Sequence, residues 1–221
     1  MSQTHPLRVV VLISGSGSNL QALIDGQKQG ELPVEIVAVI SNRAAVRGLQ
    51  RAEQAGIPAL ILDHTQYESR EAFDEALQAQ IDEYRPELVV LAGFMRILTP
   101  GFTRHYEGRM FNIHPSLLPK YQGLHTHQRV LDAGESEHGV TVHFVTPELD
   151  GGPPVIQARV PVLEGDTAET LAARVQQQEH SIYPLAVKWF AQGRLQMKSG
   201  KALLDNEPLG PQGYLMGTTQ P

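Results

Sequence analysis

Four short apolar runs alternate with amphipathic stretches in the first half of the chain. The runs are rich in β-branched residues and cover residues 7–13, 34–40, 59–62 and 88–92. A stretch with helical spacing of its apolar residues, 69–84, separates the last two runs. Strands that are apolar on both faces and alternate with helices indicate a mostly parallel, twisted sheet with helices on both faces. The pattern therefore predicts an α/β protein.

The pattern changes at about residue 110. The sequence MFNIH, residues 110–114, predicts a fifth strand, and residues 139–145 alternate between apolar and polar side chains. The run PVIQARVPV follows soon after. This half therefore predicts mixed or antiparallel sheet.

A long helix is predicted to begin near Asp166. Asp166 and Glu169 have the spacing of a capping box, and apolar residues continue at helical spacing beyond them. Pro184 is expected to kink or break this helix, since proline lacks the backbone N–H that a helix interior needs.

The chain shows no internal repeat and no linker between its halves. We therefore expect a single domain over residues 1–205, with one lobe at about 7–108 and a second at about 109–195. Residues 206–221 contain many glycines and prolines and no periodicity, which predicts a loosely ordered tail.

Composition narrows the classes of function. The 221 residues include no cysteine, which excludes disulfides, thiolate metal sites and cysteine nucleophiles. Lys plus Arg number 18 against 24 Asp plus Glu, so nucleic acid is not an expected partner. Membrane association is not expected either, because no apolar run approaches the roughly 20 residues of a membrane helix. The start of the chain lacks the features of a signal peptide, so we expect a cytoplasmic protein.

The sequence SGSGSN, residues 14–19, joins the first strand to a helix. Backbone N–H groups and the helix dipole favour an anion at such a junction. No Gly-Lys-Ser/Thr follows, and Leu20 stands where a dinucleotide-binding motif has its third glycine. The segment predicts either a nest for one phosphate, with Ser18 and Asn19 as side-chain donors, or an ordinary glycine turn that caps a helix.

Asn112 and His114 are two residues apart at the end of the fifth strand, so their side chains should project from one face. Ligands of α/β proteins bind at this end of the strands. An amide N–H and an imidazolium N–H that point to one spot can stabilise an oxyanion. The alternative is a histidine that bonds to backbone carbonyls in a stiff turn at Pro115.

Asp150 precedes two glycines, in a loop after the alternating strand. A carboxylate beside a histidine favours the charged imidazolium. An Asp-Gly turn between two strands is an equally simple interpretation.

Three further features could bind a ligand. Four histidines could in principle be assembled into a metal site, although no motif marks one, and we expect no metal. They are His125, His127, His138 and His143. Glu179 lies on the apolar face of the last helix, where a carboxylate needs a partner such as ligand hydroxyls or a neighbouring chain segment. Residues 93–98 (GFMRIL) could line a flat aromatic ligand or simply dock a helix.

Five segments in this order resemble the folate-dependent formyltransferase family and, within it, the phosphoribosylglycinamide formyltransferases. They are VVLISGSGSNLQALID, LVVLAGFMRIL, FNIHPSLLPKYQGLHTH, VHFVTPELDGGP and QQQEHSIYP. The resemblance implies a Rossmann-like formyltransferase fold. It also implies transfer of a formyl group from 10-formyltetrahydrofolate, a co-substrate, to the amine of 5′-phosphoribosylglycinamide in purine biosynthesis. The implied partners are small molecules, and the implied state is a monomer or weak homodimer.

The resemblance also implies the residues of the site. Asn112 and His114 would polarise the formyl carbonyl and stabilise the tetrahedral oxyanion, while Asp150 would hold His114 protonated. The positions implied for the nucleotide are Gly17, Ser18, Asn19, Gln176 and Glu179. The positions implied for the folate are Arg70, Met95, Arg96, Ile97, Leu98, Asn112, Thr146, Pro147, Glu148, Leu149 and Asp150.

Three other functions fit less well. A formyltetrahydrofolate deformylase, in which water replaces the amine, usually carries an extra N-terminal domain, whereas the first strand here is expected at residue 7. A methionyl-tRNA formyltransferase would need an RNA-binding domain and a basic surface. A non-catalytic module that binds a nucleotide phosphate would not need the combination of Asn112, His114 and Asp150.

Overall fold

The computed structural model describes residues 5–217. In chain order the strands are β1 Leu7–Ile13, β2 Val34–Ser41, β3 Ala59–Ile61, β4 Leu88–Leu91, β5 Met110–His114, β6 Glu137–Phe144, β7 Pro154–Pro161, β8 Leu195–Lys198, β9 Lys201–Leu204, β10 Glu207–Pro208 and β11 Tyr214–Leu215. The helices are α1 Ser18–Lys28, α2 Arg47–Gln54, α3 Arg70–Glu83, α4 Pro100–His105, α5 Thr126–Asp132 and α6 Ala168–Ala191, with a short 3₁₀ helix at His64–Gln66. None of the helices in this part of the chain has the length and apolar character needed to cross a bilayer.

Eight strands form one sheet in the order β11-β7-β6-β5-β4-β1-β2-β3. β1 to β5 are mutually parallel, β6 is antiparallel to both β5 and β7, and β11 is parallel to β7. The α/β class and the mixed second half are therefore confirmed. The sheet is continuous through both expected lobes, and β8, β9 and β10 form a separate antiparallel sheet.

The strand β1 is buried on both faces. Val9 and Val11 belong to a core with residues of α1 and α6, whereas Val10 and Leu12 belong to a second core with residues of α3. Burial of each such side chain contributes about 1.5 to 3 kcal/mol. Helices on both faces explain why this strand is a continuous apolar run rather than an alternating one.

The parallel strands end at one edge of the sheet. β1 lies between β2 and β4, and the chain continues from β1 to one side and from β4 to the other. At such a switch point the loops diverge and leave a crevice. The loops after β1, β4 and β5 therefore meet at the edge where a ligand site is expected.

The start of α6 differs from the prediction. Thr167 is the N-cap, and its hydroxyl and that of Thr170 form the capping box. Asp166 instead forms an ion pair with Arg174 at 2.8 Å. The predicted Asp166–Glu169 box was wrong because the extended backbone at Thr167 brings a hydroxyl to the free N–H groups first.

Pro184 does not end α6. The helix continues through it to Ala191. Tyr183, Ala186 and Val187 around it are fully buried. Their packing offsets the roughly 3 kcal/mol that proline costs in a helix interior.

The segment expected to be a loose tail contains regular structure as far as Leu215. β10 pairs with β9, and β11 extends the large sheet next to β7. Tyr214 packs edge-on against Trp189, with ring centroids 5.3 Å apart. Gly213 has φ +73°, and a Cβ there would lie 2.7 Å from the backbone of Val155. Glycine thus permits the close approach that adds the strand. Residues 218–221 lie outside the described part of the chain.

Candidate active site

Asn112 on β5 lies directly opposite His143 on β6. Its Nδ2 is 3.5 Å from His143 Nε2, while His143 Nδ1 is 2.9 Å from the carbonyl of Phe144. Burial lowers the pKa of His143, so the ring is neutral at pH 7. The proton then lies on Nδ1, which donates to Phe144, and Nε2 accepts from Asn112. His143 thus fixes the orientation of the Asn112 amide.

His114 is buried, and both of its ring nitrogens face protein groups. Nε2 is 2.8 Å from the carbonyl of Tyr121 and donates to it. Nδ1 is 3.6 Å from Asp150 Oδ2, which is within ion-pair range. The same Asp150 oxygen accepts a hydrogen bond from the backbone N–H of Gly123 at 2.9 Å. The structure therefore brings His114 and Asp150 together, and it also shows the backbone-carbonyl partner expected for a histidine in a stiff turn.

The turn at Asp150 places its carboxylate. Asp150 has φ +50°, a left-handed conformation that Asp and Asn tolerate better than other side chains. A Cβ on Gly152 would lie 1.8 Å from the carbonyl oxygen of Phe144. Only glycine allows the chain to return so close to β6.

A groove that is partly open to solvent lies beside Asn112 and Asp150. The predicted folate residues that line it are Arg96, Ile97, Leu98, Asn112, Thr146, Pro147, Glu148, Leu149 and Asp150. Arg70 and Met95 are not among the lining residues: Arg70 is exposed at the start of α3, and the Met95 side chain is 61% exposed.

Sequence reasoning missed several residues of this groove. They are Leu91, Thr103, His143 and Val145, whereas Phe94 lies within the segment 93–98 that was expected to line a flat ligand. The groove combines apolar side chains with a few polar groups, as ligand pockets commonly do. Leu91 could have been suspected, since it ends a buried strand.

The loop at residues 14–19 is held tightly by α2. Gly17 is the N-cap of α1 with φ +71°, and no side chain caps this helix. A Cβ on Gly17 would lie 2.7 Å from Gly48 Cα. Arg51 donates to the carbonyl of Ser16 at 2.7 Å. The first N–H groups of α1 therefore have no side-chain acceptor and can bind an anion.

A second cleft lies between α6 and Pro115, the neighbour of His114, and one of its lining residues contacts the loop at 14–19. Gln176 on α6 donates to the Ser18 hydroxyl at 3.0 Å. Burial raises the pKa of Glu179, an effect that hydrogen bonding to Asn19 opposes. The cleft is lined by Pro115, His127, Glu169, Ala172, Ala173, Gln176 and Glu179. Of the predicted nucleotide residues, Gln176 and Glu179 thus line this cleft, and Ser18 and Asn19 contact them.

Two of the four histidines considered for a metal site, His127 and His138, form a pair. His127 Nδ1 and His138 Nε2 are 2.9 Å apart. Burial lowers the pKa of both rings, that of His138 to about 4. His143 belongs instead to the Asn112 contact. Over residues 5–217, no three His, Cys, Asp or Glu side chains are grouped so that they could hold a metal ion.

Comparison with known proteins gives consistent matches. The formyl transferase family matches residues 7–187. A phosphoribosylglycinamide formyltransferase of Escherichia coli K12 is 57% identical over 208 residues, which are 94% of this chain and 98% of that protein. The trifunctional purine biosynthetic protein adenosine-3 of Bos taurus is 50% identical over 195 residues, 88% of this chain and 19% of that protein. The solved structure of a phosphoribosylglycinamide formyltransferase from Coxiella burnetii has a TM-score of 0.92 and 55% identity, and the match covers 96% of this chain and 100% of that one.

Proposed function

Since the chain belongs to the formyl transferase family, we propose that it transfers the formyl group of 10-formyltetrahydrofolate to the amine of 5′-phosphoribosylglycinamide in purine biosynthesis. The observation that carries this proposal is the position of Asn112, His114 and Asp150. Asn112 and Asp150 line the groove, and Pro115, which follows His114, lines the second cleft, where Gln176 contacts the glycine loop. A formyl donor and a phosphorylated amine could meet there.

The proposed reaction is direct attack of the amine. The amine lone pair forms a bond to the formyl carbon, and the carbonyl π electrons move to oxygen. The intermediate collapses when the bond between the formyl carbon and N10 of the folate breaks. The amine loses one proton, and N10 gains one. The products are the N-formyl nucleotide and tetrahydrofolate, with no covalent bond to the protein.

Asn112 and His114 would stabilise the oxyanion. The Asn112 amide is already oriented by His143. The Nε2–H of His114 donates to the Tyr121 carbonyl in this structure, and the formyl oxygen would replace that carbonyl when both substrates bind. One donor of this kind is worth about 2.7 to 4 kcal/mol in the transition state.

Asp150 would stabilise the positive charge on His114 from the other side of the ring. Its carboxylate oxygen lies 3.6 Å from Nδ1. A charged imidazolium is a stronger donor to the oxyanion than a neutral ring. Through His114, Asp150 would also help to arrange movement of the amine proton.

The two substrates would occupy separate clefts. The nucleotide phosphate would bind at the N-terminus of α1 with Gly17, Ser18 and Asn19, which is a favourable place for an anion. Gln176 and Glu179 would meet the rest of the nucleotide, and ribose hydroxyls would add donors to the half-buried Glu179 carboxylate beside the one from Asn19.

The folate ring would enter the groove formed by residues 96–98 and 146–150 together with Asn112. Arg70 and Met95 would contact only the part of the folate that extends beyond the groove. We further propose a cytoplasmic enzyme that acts as a monomer or weak homodimer, a state that analytical ultracentrifugation would establish.

The test is a spectrophotometric assay with 10-formyl-5,8-dideazafolate, with and without 5′-phosphoribosylglycinamide. The proposal expects loss of the formyl group only when the nucleotide is present. Loss at an equal rate without nucleotide would identify a deformylase. If neither mixture reacted while the nucleotide still bound, the chain would be a phosphate-binding module.

A further inference from the structure

The loop between β4 and α4, residues 92–99, carries part of the groove wall, and we call it the β4–α4 loop. We propose that Ser14 and Asp74 are positioning residues that anchor this loop for folate binding. The inference rests on the proposed function, because it concerns how the same site holds its folate. Neither side chain lines the groove.

Most of the β4–α4 loop lacks the regular backbone hydrogen bonds of a helix or a strand. Its residues from 94 to 99 belong to no helix or strand, and the chain turns at Gly93 with φ +73°. The Met95 and Ile97 side chains are 61% and 53% exposed. A loop with exposed apolar side chains and few regular hydrogen bonds is mobile unless other groups fix its backbone.

Ser14 fixes the first part of the loop. It follows β1, is 4% exposed, and its hydroxyl oxygen accepts the Met95 N–H at 2.8 Å. The same hydroxyl donates to Asn42 Oδ1 at 2.5 Å, and Asn42 Nδ2 is 3.2 Å from His64 Nδ1. Each group in this chain of contacts accepts from one neighbour and donates to the next. The hydroxyl of Ser14 is therefore committed to Met95 in one orientation.

Asp74 fixes the end of the loop. It lies on α3, is 2% exposed, and its Oδ2 accepts the Thr99 N–H at 2.7 Å. Its other carboxylate oxygen is buried without a hydrogen-bond partner. Burial of a half-satisfied carboxylate is unfavourable. The hydrogen bond that the buried Asp74 carboxylate does make is the one from Thr99. It fixes the point where the loop ends and α4 begins.

The groove residue Arg96 lies between the two anchored amides. Its guanidinium lies over the ring of Phe73, 5.2 Å from the centroid, and Phe73 precedes Asp74 on α3. The loop is thus attached at one end to Ser14, which follows β1. In the middle and at the other end it is attached to α3, through Phe73 and Asp74. A wall that is ordered before the ligand arrives avoids the entropic cost of ordering on binding.

A purely structural role would give a different result from a positioning role. If the anchors only stabilised the fold, their loss would lower the melting temperature and leave the Michaelis constants unchanged. If they position the groove wall, their loss should raise the KM for the folate without changing the KM for the nucleotide or kcat at saturation.

The experiment compares four variants in the formyl transfer assay. Ser14→Ala and Asp74→Ala each remove one anchor, and each should raise the KM for 10-formyl-5,8-dideazafolate about fivefold, as expected for loss of one hydrogen bond. Asp74→Asn keeps an oxygen that can accept from Thr99 and should stay within about twofold of the wild type. Tyr106→Phe is the control, since it removes a buried hydroxyl that donates to Asp82 at 2.7 Å, away from the groove.

Tyr106→Phe should lower the melting temperature and leave both KM values unchanged. Unchanged folate KM values in both alanine variants would overturn the proposal. An equal rise in nucleotide KM would overturn it too, since it would mean general distortion of the site.

A measurement on the wild-type protein covers the case in which a variant does not fold. The Met95 and Thr99 amides should exchange slowly with solvent deuterium in the absence of any ligand. Fast exchange at both would show that the loop is not anchored. This result is separate from failure of the proposed function, which would appear as a wild-type protein without nucleotide-dependent formyl loss.

Discussion

The loop after β1 and the segment at the end of β5 form the two sides of the site by opposite means. After β1 the proposed binding group is the backbone itself, and glycines let it pack closely: a Cβ on Gly48 would lie 2.4 Å from Ile13 Cδ1 and 3.1 Å from the Gly15 carbonyl oxygen. At β5 the functional groups are side chains, His114 and Asn112, each aligned by a hydrogen bond. The loop after β1 depends on close packing of the backbone, whereas the end of β5 depends on the functional groups of particular side chains.

This difference predicts separable defects. Added volume at the glycine loop should weaken nucleotide binding and leave turnover largely intact. A changed functional group at β5 should depress turnover and leave nucleotide binding largely intact.

Replacement of His114 should give the largest effect. His114→Asn removes the Nε2–H that the shorter asparagine amide does not replace at that distance, as well as the ring's capacity for positive charge, and kcat should fall about a thousandfold. The nucleotide Kd, measured by isothermal titration calorimetry, should change less than about threefold, because the glycine loop is untouched. A kcat within tenfold of the wild type would contradict the assignment and favour a binding module.

Asp150→Asn should lower kcat about a hundredfold through loss of the negative charge beside His114. Asparagine tolerates the left-handed backbone at this position, φ +50°, and its side-chain oxygen can still accept from the Gly123 N–H. The fold should therefore remain intact. If steady-state kinetics and titration showed equal losses of turnover and nucleotide affinity, Asp150 would be a structural turn residue.

Gly17→Ala tests the other side of the comparison. Alanine pays about 1 to 2 kcal/mol in the left-handed region, and its Cβ would lie 2.7 Å from Gly48 Cα. The nucleotide KM should rise about thirtyfold, and kcat at saturating nucleotide should stay near the wild-type value. Ser16→Ala, an exposed neighbour in the same loop, is the control and should change neither. A fall in kcat with unchanged KM would remove the distinction between the two regions.

The smallest effect concerns His138 on β6, the neighbour of β5, and the pH dependence of the free energy of unfolding. Burial lowers the pKa of His138 to about 4, below its value of about 6.5 in an unfolded chain, so the unfolded state binds more protons between these values. Stability from this group is complete above pH 6.5 and is lost as the pH falls toward 4. Between pH 7 and 5.5 the loss should be about 1 kcal/mol.

Urea unfolding of the wild type and of His138→Gln at both pH values measures this loss. The pKa of His127 and His143 is also lowered, but both proteins contain these rings, so the wild type should have the steeper pH dependence because of His138 alone. Equal pH dependence in the two proteins would mean that His138 is not neutral in the fold.

The sequence by itself determined the α/β architecture and the central chemistry of the candidate site. β1 was predicted at its observed residues, and the helix predicted over 69–84 is α3, Arg70–Glu83. The common face of Asn112 and His114 also followed from strand periodicity alone. These features are local: a few neighbouring side chains set the period, and the period sets the face.

Tertiary structure decided which groups the site residues contact. Asn112 meets His143 across 31 residues of chain because of the β5–β6 register, and His114 meets the Tyr121 carbonyl because of how the following loop folds back. The pattern of neighbouring residues likewise did not predict that Thr167 caps α6. Nor did it predict that Arg70 and Met95 lie outside the groove. Register and loop closure depend on packing of the whole chain, and the period of a single segment does not encode them.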